Sequence, residues 1–138
     1  MTQDGHTARV LEVRMATRIL ITIEGVEFRA ELNDSTTARG ILELLPMTVR
    51  MSRWGDEYYG SIERDFDLED DARDIMKVGE LAYWPQGQAL CVFFGPTPAS
   101  EGSAPVAASA VNPVGKVLDS CSPLKKMGSG VTAEITRV

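Results

Sequence analysis

The sequence predicts an all-β chain with minor α content: an eight-stranded closed antiparallel β-barrel with one or two short helices at its ends. Three observations carry that expectation. Apolar and polar residues alternate through paired segments joined by turn residues, the pattern of half-buried hairpins. One segment, beginning near Thr36, has clear helical spacing. Ala89-Leu90-Cys91-Val92-Phe93-Phe94 is an unbroken apolar run between two Pro/Gly turns, as in a fully buried strand. With 138 residues the chain has the size of one domain and can bury about two-thirds of its unfolded surface.

Residues 1–17 are assigned to an N-terminal extension, in which the β-prone Val10-Leu11-Glu12-Val13 offers an added edge strand, and residues 18–138 to the barrel. Arg18 to Glu24 and Val26 to Leu32 form a hairpin: Ile19, Ile21 and Ile23 share one face, and Val26, Phe28, Ala30 and Leu32 return after a Glu24-Gly25 turn. Asn33-Asp34-Ser35 is a capping cluster. It opens a helix over Thr36 to Leu45, stopped by Pro46. Met47 to Ile62 forms a second hairpin with its turn at Gly55-Asp56.

The acidic stretch Glu63 to Lys77 lacks sustained periodicity and is expected to be a solvated connector. After the strands between Tyr83 and Phe94, Gly95 to Asn112 is expected to be a long functional or mobile loop. Val114 to Leu118 is a strand, Ser122-Pro123 opens one helical turn, and Val131 to Val138 alternates into the last strand.

Composition removes several classes of function. A net charge of −6, from 14 basic and 20 acidic residues, argues against nucleic acid and against an anionic membrane surface as partners. No signal segment precedes the core, and Cys91 and Cys121 lack metal-ligand spacing, so they are expected to be reduced thiols in a cytoplasmic protein. The sole histidine, His6, lies in the extension, which excludes a His-based triad or a His-rich metal site. Asp65, Asp67, Glu69, Asp70, Asp71 and Asp74 lack the spacing of a calcium loop. No phosphate-binding glycine motif occurs. No metal and no cofactor are expected.

The order of elements resembles the cyclophilins. It is more closely similar to the small prokaryotic cyclophilin-like proteins, a family of unknown function. The stretches that carry the likeness are Asn33-Asp34-Ser35-x-Thr37-Ala38, Arg53-Trp54-Gly55-Asp56-Glu57, Tyr83-Trp84-Pro85-x-Gly87, Phe93-Phe94-Gly95-Pro96-Thr97-Pro98 and Ala108-Ser109-x-Val111-Asn112. The resemblance implies an eight-stranded barrel with a pocket on one outer face, beside the aromatic hairpin and the long loop. It places Arg53 where the cyclophilins carry the arginine that acts on the imide nitrogen. The remaining cyclophilin positions fall at Ala89, near Cys91 and at Val111, so the usual proline cup is absent.

The candidate site is therefore a groove walled by Arg53, Trp54, Glu57, Tyr59, Tyr83 and Phe94. Adjacent strand residues face opposite ways, so Tyr58-Tyr59, Tyr83-Trp84 and Phe93-Phe94 can each send only one member outward. Glu57 would serve as a general acid or base if buried beside Trp54, and as a solvated carboxylate otherwise. Arg53 would either bind ligand or pair with Asp56 or Glu57. A cation at the edge of an apolar groove favours a small molecule or a proline-containing peptide segment that presents a carboxylate or carbonyl. The competing readings are a weak peptidyl-prolyl isomerase using Arg53, which is the arginine the cyclophilin likeness supplies, and a homo-oligomeric structural module.

Overall fold

The computed structural model describes residues 16–138. Residues 1–15 of the extension, with its Val10 to Val13 strand, thus lie outside the described residues, while Thr17 already belongs to the first strand. Strands β1 (Thr17–Ile23) and β2 (Val26–Leu32) form the first hairpin. Glu24 and Gly25 close it at φ 51° and 78°, the paired positive values that match the right-handed twist of the strands. Helix α1 (Thr36–Leu44) is capped by Ser35, whose Oγ accepts from the Ala38 amide at 3.1 Å. Then follow β3 (Met47–Arg53), β4 (Glu57–Ser61), β5 (Arg73–Ile75) and β6 (Glu80–Trp84). A 3-10 turn at Pro85–Gly87 leads to β7 (Ala89–Phe93) and β8 (Val106–Val117). A second at Ser122–Lys126 leads to β9 (Gly130–Arg137).

Eight strands run β2-β1-β9-β3-β4-β7-β6-β8, and β8 pairs back onto β2, so the hydrogen bonds close a ring of wholly antiparallel neighbours. A closed ring has no free edges. The three-residue β5 lies outside it, on β8. Gly115 sits where β8 meets β2, and a Cβ there would collide with the Glu31 carbonyl.

Alternation sorts the side chains into two cores. Ile19, Ile21, Phe28, Tyr58, Tyr83 and Phe94 belong to the main one, into which α1 sends Ala38 and Ile41. On the outer face of β6 and β7 a smaller core holds Met76, Ala82, Cys91, Phe93, Ala107 and Val111. That second core exists because the first half of β8 and β5 cover the sheet, which is why β7 is buried on both faces.

Two expectations are corrected. The connector at 63–77 is not merely solvated: it contains β5, and Phe66 sets its ring edge-on to Tyr83 at 5.1 Å. Gly40 of α1 leaves the space that Phe66 fills. Further along, Glu69 Oε2 accepts from the Thr37 amide at 3.0 Å, and its own amide donates to Asn112 Oδ1 at 2.8 Å. The expected loop to Asn112 is also too long, because β8 begins at Val106. Val106-Ala-Ala-Ser-Ala has weak strand propensity and is held extended by its partner β5. Pro113, which has no amide to donate, is accommodated at a register shift against β6. Among the described residues no helix is long and apolar enough to cross a membrane.

Candidate functional site

The β3–β4 turn and the outer faces of β4, β6 and β8 surround a cavity of about 200 Å³. Trp54, Tyr59 and Trp84 supply aromatic wall, and Ala107, Ala108 and Val111 line the rest together with one ionisable group, Glu57. The Tyr59 and Trp84 rings stand 6.3 Å apart at 84°, forming a corner. Trp84 Nε1 donates to Ser109 Oγ at 2.7 Å, which ties that ring to β8. Small residues on β8 leave the space open. Larger side chains at Ala107 and Ala108 would fill it.

Glu57 opens β4, where its backbone carbonyl accepts from the Trp54 amide at 2.8 Å and fixes the turn. The residue is 5% exposed. Among the described residues, Glu57 Oε1 is the one buried side-chain nitrogen or oxygen without a hydrogen-bond partner. Burial raises its pKa from 4.5 to about 7, an effect partly offset by the Cys91 thiol beside it. The thiol is itself pushed well above its ordinary range by burial and by the carboxyl. Near neutral pH the cavity wall thus carries a carboxyl close to the midpoint of its titration.

The six residues named from sequence go to three places. Trp54, Glu57 and Tyr59 meet at the cavity. Tyr83 and Phe94 instead lie in the barrel core with 0% exposure, where Phe94 stacks on Tyr58 at 5.3 Å. Choosing within an adjacent pair is a one-residue decision, and a one-residue slip moves a side chain to the other face. Trp84 and Phe93 are the outward members of those pairs: Trp84 lines the cavity and Phe93 packs in the second core.

Arg53 does not face the cavity either. Its Nε donates to Gly55 O at 2.8 Å, Nη1 donates to Met127 O at 2.7 Å and Lys125 O at 3.2 Å, and Nη2 pairs with Asp56 at 2.8 Å. The guanidinium lies 5.0 Å from the Phe94 ring centroid. These contacts clamp the β3–β4 turn to the segment before β9, and they occupy the donors an isomerase would aim at an imide nitrogen.

Trp84, Ala107, Ala108 and Val111 escaped the sequence-derived wall. The available signal was the phase of β6: with Leu81 and Tyr83 inside, Trp84 must be outside. Val111 was within reach as well, since the cyclophilin likeness sets a cup position there.

No curated protein matches the sequence. The solution structure of a hypothetical protein from Archaeoglobus fulgidus is similar, with 34% identity and a TM-score of 0.75 over 89% of this chain and 95% of that one. The cyclophilin-like family model matches residues 17–136, which is nearly all of the described barrel, and the chain therefore belongs to the cyclophilin-like family.

Proposed function

We propose that this cyclophilin-like domain is a binding module, and that the cavity between the β3–β4 turn and β8 holds a small organic molecule. The observation that carries the reading is Glu57: a buried carboxyl, one oxygen of which has no partner, on the wall of an otherwise apolar, aromatic-lined space. Leaving a polar atom buried and unpaired costs about 1–3 kcal/mol, a cost that a ligand with a matching polar atom removes. About 200 Å³ suits a compact molecule or one ring of a larger one. The engagement of Arg53 by backbone carbonyls weighs against the isomerase alternative.

Fragment screening by NMR tests the proposal, with the indole N–H signals of Trp54 and Trp84 as reporters. Fragments are expected to shift both signals, to lose that effect in Ala108→Trp, which fills the cavity, and to keep it in Arg53→Lys. Fragments that perturb only other surfaces would remove the cavity as the binding site.

A further inference from the structure

Resting on that binding reading, we infer that the preferred ligand is a compact organic ammonium ion, an amine with small apolar substituents whose N–H donates to the Glu57 carboxylate. Three features converge on this chemistry. The unpaired oxygen needs a donor. An ammonium N–H supplies a charge-assisted one, stronger than a neutral hydrogen bond. The surrounding rings of Trp54, Tyr59 and Trp84 attract cations through their quadrupoles, most strongly where water is excluded. Finally, the cavity offers no cation of its own. Arg53 and Lys125 are both directed to Asp56, so nothing in the lining repels a positive ligand or attracts a carboxylate.

The alternative polarity is a neutral carbonyl compound that accepts a proton from the acid form of Glu57. The two ligand classes demand opposite protonation states of one carboxyl, so pH separates them. The titratable groups facing Glu57 are few: Cys91 from β7 and Tyr59 from β4, while β6 and β8 present Trp84, Ala107, Ala108 and Val111 to the cavity. Burial holds the Cys91 thiol protonated throughout the neutral range. Between pH 6 and pH 8 the ionised fraction of Glu57 in the empty site rises from about a tenth to about nine-tenths. Affinity for an ammonium ion should rise about tenfold with it.

The experiment titrates three five-membered-ring probes by NMR at pH 6 and pH 8: pyrrolidine, a cation throughout; 2-pyrrolidinone, a neutral acceptor; and cyclopentanol, a neutral hydroxyl compound. Pyrrolidine is expected to bind best, more tightly at pH 8 by up to about tenfold, and to lose both affinity and pH dependence in Glu57→Gln. Calorimetry at pH 6.5 in buffers of different ionisation enthalpy should show proton release on binding. Tighter binding of 2-pyrrolidinone, weakening toward pH 8, would overturn the inference and leave the binding module standing with Glu57 as donor. Should no probe or fragment shift the Trp54 and Trp84 signals, the binding reading itself falls, and the inference with it.

Discussion

Two charged residues near the β3–β4 turn show how neighbouring positions acquire opposite roles. Arg53 is spent on carbonyls at Lys125 and Met127, while Glu57 is buried without an ionic partner. Burial of Glu57 has a thermodynamic signature. Its pKa is about 7 in the folded chain against 4.5 without burial, so between those pH values the unfolded chain binds fewer protons than the folded one. Stability contributed by the retained proton is complete below about pH 4.5. It is lost as pH rises to 7 and is level above, a fall on the order of 3 kcal/mol. Glu57→Gln should abolish that slope. Urea denaturation of both proteins at pH 5 and pH 8 checks this: the native chain should lose about 2–3 kcal/mol more than the variant. Parallel behaviour would mean that Glu57 is solvated and its carboxyl unperturbed.

At the level of elements, the alternation that identifies a strand does not say which way it faces. The hairpins, α1 and the final strand were legible because their apolar sides are unambiguous, as with Ile19, Ile21 and Ile23. The facing of Tyr83-Trp84 and Phe93-Phe94 was not, because both members of each pair are aromatic and each strand is covered on both faces. The first half of β8 was hidden for another reason: alanine and serine carry little strand signal, and the pairing partner β5 is three residues long. Those same small residues open the cavity, so the part of the site least visible in sequence is the part that gives it room. The two faces should respond differently to truncation. Phe94→Ala removes a fully buried ring and is expected to cost about 3–5 kcal/mol, whereas Trp54→Ala, at the partly buried cavity wall, should cost less, about 1–2 kcal/mol. Denaturation midpoints measure the difference. Fragment binding should invert the order, surviving in Phe94→Ala below its unfolding transition and failing in Trp54→Ala.

For the molecule as a whole, closure of the ring separates a rigid frame from a lighter cover. Each of the eight ring strands has two hydrogen-bonded neighbours, and the barrel core is sealed within them. β8 belongs to both parts. From Asn112 onward it pairs with β6 and β2, but from Val106 to Val111 its strand partner is β5 alone, and Ile75 of β5 is 63% exposed. Opening that half would expose the small outer core and the cavity while leaving the ring closed, so it should require less free energy than global unfolding. Native-state hydrogen exchange resolves the two events. Amides of β5 and of β8 that are hydrogen-bonded between these two strands should exchange at least about tenfold faster than those of β1 and β9. A ligand seated against Trp84 and Val111 should slow the first set and leave the second unchanged. Equal protection of both sets would mean that cover and barrel open together, and that a ligand must enter through the existing mouth without any movement of β8.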